Sequence, residues 1–104
     1  MSVLLDLSIF PLDRGASVSA FVAPVVAMIR DSGHPYHLGA MGTLVETEDM
    51  EGALALVARA QRLLAEQGCT RVYATIKLDM RDGPMGRLTS KVDAIANRIG
   101  DLAR

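Results

Sequence analysis

Apolar and polar residues alternate from Val3 to Phe10: Val3, Leu5, Leu7 and Ile9 fall on one side, Leu4, Asp6, Ser8 and Phe10 on the other. A period of two predicts a strand with one greasy face. Pro11 ends it, and Asp13-Arg14-Gly15 is turn chemistry. The period then lengthens. Val18, Phe21, Val22, Val25 and Ile29 recur at i, i+3, i+4, i+7 and i+11, one face of a helix. Ser17 or Ser19 is placed to cap it, and Ser32-Gly33 to stop it. Pro24 conflicts with this pattern, because an interior proline deletes a backbone bond and costs ~3 kcal/mol. The helix therefore starts nearer Ala23 or kinks there. Either way, carbonyls near Ser19 and Ala20 lose their usual donor, a loosened turn suited to a polar site.

Two short strands, His34–Leu38 and Gly42–Glu48, are expected to form a hairpin around Gly39-Ala40-Met41. The flanking glycines permit backbone angles other residues avoid. Thr43 and Glu46 lie just beyond the turn, where polar side chains can converge on a ligand. Thr47 or Asp49 can cap a second helix, in which Met50, Ala53, Leu54, Val57, Gln61 and Leu64 recur at helical spacing and Gly68 is the stop. Arg71–Asp79 reads as the last strand, with Val72, Ala74, Ile76 and Leu78 on one face and Tyr73, Thr75, Lys77 and Asp79 on the other. A final helix carries Leu88, Val92, Ile95, Ile99 and Leu102, a spacing of 4, 3, 4, 3 that matches a short heptad seam. That seam suits either its own domain or a second subunit.

The order strand-helix-strand-strand-helix-strand-helix predicts an α+β fold: a ferredoxin-like βαββαβ antiparallel sheet with an additional C-terminal helix. Right-handed crossovers put the first and third strands in the centre and the fourth beside the first. Both crossover helices then cover the apolar face. The other face mixes Leu4 and Phe10 with Asp6, Ser8, Thr75 and Lys77, and such a face is expected to meet another subunit. Asp6 and Lys77 are placed to pair across strands.

Length and charge narrow the function. At 104 residues the chain reads as one domain, 1–104. A core is affordable, since half the residues are hydrophobic, but domains this small often oligomerise. A net charge of −1 gives nucleic acid and acidic membrane surfaces nothing to hold. Thr43–Thr47, the central strand of the hairpin, has no aromatic for stacking RNA bases. One cysteine, Cys69, allows no internal disulfide and reads as a small buried residue at a strand entrance. His34 and His37 are three apart on a strand and point to opposite faces, poor geometry for a metal. There is no apolar run of membrane-spanning length and no basic, greasy start of a signal peptide, so a cytoplasmic location is expected.

Three stretches carry a resemblance: Ser17-Val18-Ser19-Ala20-Phe21-Val22, then Tyr36-His37-Leu38-Gly39-Ala40-Met41-Gly42-Thr43-Leu44-Val45-Glu46, then Ile76-Lys77-Leu78-Asp79-Met80-Arg81. Together they resemble the small thiamine-binding, YkoF-like family over nearly the whole chain. Met41-Gly42-Thr43 followed by Glu46 is the most specific part. The resemblance implies a ferredoxin-like subunit that assembles into homodimers or homotetramers and binds thiamine, or its hydroxymethylpyrimidine part, without catalysis and without a cofactor, in a cleft at the sheet face or subunit junction. Ser19, Thr43, Glu46, Lys77 and Asp79 match the family's polar positions. Tyr36 and Leu38 match the strand entering the turn, and Met41 and Gly42 the turn itself. Ala40 stands where proline is common, and Thr47 where glycine is. Thiamine's thiazolium cation suits a carboxylate such as Glu46 or Asp6, and its aminopyrimidine suits Ser, Thr and backbone groups. A regulatory module for another small metabolite, or a small-molecule enzyme on a ferredoxin-like dimer, are the alternatives. Against the enzyme, no nucleophile sits beside a base and no metal spacing is present.

Overall fold

The computed structural model describes residues 1–104, and its elements follow the expected order. Strand β1 (Ser2–Pro11) is central, where right-handed crossovers place it. It pairs antiparallel with β3 (Thr43–Thr47) on one side and β4 (Val72–Arg81) on the other. β2 (Tyr36–Leu38) completes the sheet order β2-β3-β1-β4. This is the ferredoxin-like antiparallel arrangement, with β1 and β3 in the middle.

Helices α1 (Ser19–Asp31) and α2 (Met50–Glu66) cover the face carrying Val3, Leu5, Leu7 and Ile9. Val25, Met28 and Ile29 descend from α1, and Ala53, Leu56, Ala60 and Leu64 from α2. The buried stripe of α2 is rotated from the expected one. Leu54 is half-exposed and Gln61 faces out, because Ala53 and Ala60 are the small residues that let the helix settle on the sheet. Cys69 is buried in the core, as its position suggested.

The local chemistry departs from expectation in three places. Neither Ser17 nor Ser19 caps α1: Val18 holds the N-cap position and makes no side-chain cap bond. Pro24 lies inside a helix that begins at Ser19, so the Ala20 carbonyl lacks its i+4 donor. Neither hairpin glycine needs a left-handed backbone. Gly42 is required for closeness instead. A Cβ there would sit 3.1 Å from the Leu7 carbonyl oxygen and 3.1 Å from Asp6 Oδ1. Of the two residues placed to cap α2, Asp49 does so, its carboxylate accepting from the Gly52 N–H at 2.7 Å.

β4 is an edge strand that the helices cover only in part: Val72 and Leu78 pack against the core. Ala74 and Ile76 belong to the apolar face but are exposed, Ile76 by 40%. On the opposite face Asp6 and Lys77 are cross-strand partners, 3.8 Å apart, and the rings of Phe10 and Tyr73 lie in register, tilted by 42° with centres 5.9 Å apart. Helix α3 (Arg87–Ile99) comes to this second face only at its start. Its apolar seam is largely uncovered further along, Ile99 being 70% exposed.

Candidate functional site

Residue parity decides what the hairpin can do. Thr43 pairs with Leu7 and Thr47 with Val3, so Thr43, Val45 and Thr47 face the helices. Leu44 and Glu46 face the other side with Asp6 and Leu4. Thr43 and Glu46 are three residues apart on a strand, so the expected convergence on one ligand does not occur.

Glu46 is fully buried beneath the start of α3. Its carboxylate accepts from the Ser2 hydroxyl at 2.5 Å, the Gly86 N–H at 2.9 Å and the Arg87 N–H at 3.2 Å. The first amides of a helix have no partner of their own and carry its positive end. Gly86, in the N-cap position with φ 108°, offers no side chain to serve them. A left-handed backbone there favours glycine, so the acceptor has to come from elsewhere, and Glu46 supplies it. Arg87 is buried alongside. It donates to the Ser2 hydroxyl at 3.0 Å and to the backbone oxygens of Ser2 and Asp79, and pairs with the Asp79 carboxylate at 3.0 Å. Lys91 reaches the same carboxylate at 3.2 Å. Five charged or polar side chains thus clamp α3 to the sheet.

Burial pushes the Glu46 carboxyl up, but the Ser2 hydroxyl and the backbone N–H groups of Arg87, Gly86 and Leu88 outweigh it and hold the group below its ordinary value of 4.5. A carboxyl depressed in the folded state adds stability above its unfolded value, and that stability is lost as pH falls through the folded value. Unfolding midpoints in urea, followed from pH 7 downward, are therefore expected to begin falling near pH 4.5, and a Glu46→Gln variant to show a shallower decline. The two slopes coinciding would remove Glu46 as a source of the acid sensitivity.

A cavity of about 410 Å³ lies on the helix side of the hairpin, between the first turns of α1 and the exit of β1. Val18, Val22 and Val26 of α1 form one wall, which explains why the first turns of that helix are only half-buried. Leu38, Met41 and Gly42 form the hairpin wall, with Met41 90% exposed at its tip. Thr43 is the polar residue at the inner edge, 5% exposed. Its hydroxyl has no hydrogen-bond partner within the protein, and no polar side-chain atom is sealed in the interior unsatisfied. The hydroxyl is therefore open to the cavity, with a donor and acceptor lone pairs to offer.

Of the residues the sequence singled out, Leu38, Met41, Gly42 and Thr43 meet at this cavity. Tyr36 and Glu46 line a separate groove under α3. Ser19 is exposed at the start of α1, Lys77 pairs with Asp6, and Asp79 is engaged by Arg87 and Lys91. Val18, Val22 and Val26 were read only as a helix stripe or not at all.

The sequence profile of the family described as thiamine-binding protein matches residues 5–96. The chain belongs to this family. A UPF0045 protein of Mycobacterium bovis is 37% identical over 95 residues, covering 91% of this chain and 92% of its own. One from Methanothermobacter thermautotrophicus is 32% identical over 95 residues, covering 90% and 96%. Among solved structures, a hypothetical protein of Methanocaldococcus jannaschii superposes with a TM-score of 0.80 at 28% identity, over 91% of this chain and 96% of that one. A Thermotoga maritima structure, described as a candidate thiamine biosynthesis or salvage protein, superposes at 0.77 with 21% identity, over 91% and 99%, and bears on the fold. No helix of the chain is long and apolar enough to cross a membrane.

Proposed function

We propose that the chain binds thiamine, or its hydroxymethylpyrimidine part, in the cavity between α1 and the hairpin, without transforming it. The single observation that carries this reading is the Thr43 hydroxyl, unpartnered within the protein and open to a mostly apolar pocket. Its volume of about 410 Å³ falls in the range of small-molecule sites. An aminopyrimidine ring fits such a lining: flat and largely apolar, with an amine donor and ring-nitrogen acceptors for one hydroxyl and nearby backbone. The cavity wall has no carboxylate, imidazole, amine or thiol, which supports a binder over a catalyst and leaves the thiazolium cation towards the open side, near Met41. Glu46 is turned away, so it serves the fold and not the cation.

Thiamine has about 18 non-hydrogen atoms; at ~0.4 kcal/mol each the gain is ~7 kcal/mol, a Kd near ~10 μM. Thr43→Val keeps the shape and removes one hydrogen bond worth roughly 0.5–1.5 kcal/mol. It is expected to weaken the pyrimidine and thiamine alike by up to about tenfold, with thermal stability unchanged. Titration calorimetry on protein refolded free of ligand checks this, and undiminished binding would take Thr43 out of the site.

The subunit reading rests on β4. Along its ten residues every second one turns an unpaired N–H and C=O outward, with Ile76 and Met80 exposed on the helix side, an arrangement single-chain proteins usually blunt. Two such edges would pair antiparallel about a two-fold axis into one eight-stranded sheet. Ile76→Lys, which puts a charge beside that axis, is expected to convert a homodimer or homotetramer to a smaller species in sedimentation. A wild-type chain that sediments as a monomer at tens of micromolar would end this reading.

A further inference from the structure

The groove under α3 stands apart from the cavity above and lies on the opposite face of the sheet. It is larger, about 660 Å³, because α3 is clamped only at its start and stands off the hairpin further on. Leu88 and Val92 of α3 form one wall and Leu44 of β3 part of the other. Glu46 also borders it, yet its carboxylate is already taken up by the Ser2 hydroxyl and the first amides of α3, at the positive end of that helix. What remains free around the opening is a set of donors. The His37 imidazole, on the same face as its cross-strand partner Leu44, lines the groove with no hydrogen-bond partner in the protein. Arg104 lies at its rim, held by Asp93 of α3 at 2.7 Å. One carboxylate occupies only part of a guanidinium's five donors.

We infer that this groove is a second ligand site, for a small amphipathic carboxylate: an aromatic or branched apolar body between Leu44, Leu88 and Val92, and an acid group on His37 and Arg104. Apolar walls with a few convergent polar groups are the usual make-up of small-molecule sites. The donor set favours an anion over a cation, because the one acid in the groove is saturated. The site needs no occupant in the Thr43 cavity, so it stands or falls independently of thiamine binding.

The test is a two-dimensional amide NMR titration of the full chain with indole-3-acetate and with its neutral isostere indole-3-acetamide. The acid is expected to give saturable shifts at Leu44, Leu88 and Val92 below about 1 mM, with Leu7 and Val22 unmoved, and the amide to bind at least fivefold more weakly. Val92→Glu, at a position already 38% exposed, is expected to abolish the shifts while peak dispersion stays native. His37→Ala is expected to narrow the acid-to-amide gap and leave amide binding in place. Unsaturable shifts, shifts centred on the Thr43 cavity, or equal binding of acid and amide would each overturn the inference.

Discussion

Glu46→Gln is expected to lower stability by roughly 3 kcal/mol and to free the start of α3. The carboxylate takes three short donors in a fully buried position. Charge-assisted bonds of this kind contribute about 1.5–3 kcal/mol each when one partner is lost. The amide can accept through one oxygen only, and its NH₂ is brought against backbone N–H groups that need acceptors. Denaturant unfolding reads the stability, and hydrogen exchange at the Arg87 and Leu88 amides reads the helix start. Exchange in that turn is expected to quicken well beyond the global loss. Affinity for thiamine and for the neutral pyrimidine is expected to change by the same factor. A selective loss for the cation would return Glu46 to a ligand role and contradict the geometry.

Val22→Trp is expected to cut thiamine affinity by at least 100-fold, about 2.7 kcal/mol, while leaving the fold intact. Val22 is half-buried on α1 and faces the cavity of about 410 Å³. An indole ring there occupies the space that the pyrimidine would take. It covers apolar surface left open by the neighbouring valines, so thermal stability is expected to hold or rise. The effect is far larger than that of Thr43→Val, because it removes the room and not one hydrogen bond. Unchanged affinity in a folded Val22→Trp protein would place the ligand elsewhere.

The fold was legible because both periodicities are clean. Val3-Leu5-Leu7-Ile9 named the central strand and its buried face, and the handedness of crossovers fixed the order β2-β3-β1-β4. Asp49 as a cap and Asp6 opposite Lys77 were readable from local rules. The site was half legible. Leu38, Met41, Gly42 and Thr43 do gather at one cavity, since they are neighbours on one hairpin. The part that was missed depends on what lies across the sheet. The strand period alone puts Thr43 and Glu46 on opposite faces, so their separation could have been read. The partner of Glu46 could also have been sought: α3 begins at Met85-Gly86-Arg87 with no capping side chain, and its amides require an acceptor. Gly42 was read as a glycine of backbone freedom, whereas only the approach of Leu7 reveals that it is there for closeness.

The central claim is that a pocket between α1 and the hairpin holds the vitamin through its pyrimidine half. Calorimetric titration of thiamine and of hydroxymethylpyrimidine into refolded wild-type protein, with Val22→Trp alongside, tests it most directly. A thiamine Kd near ~10 μM is expected, with the pyrimidine within about tenfold of it and no measurable heat from either with Val22→Trp. Absence of binding by the wild type, or equal binding by the filled variant, would contradict it.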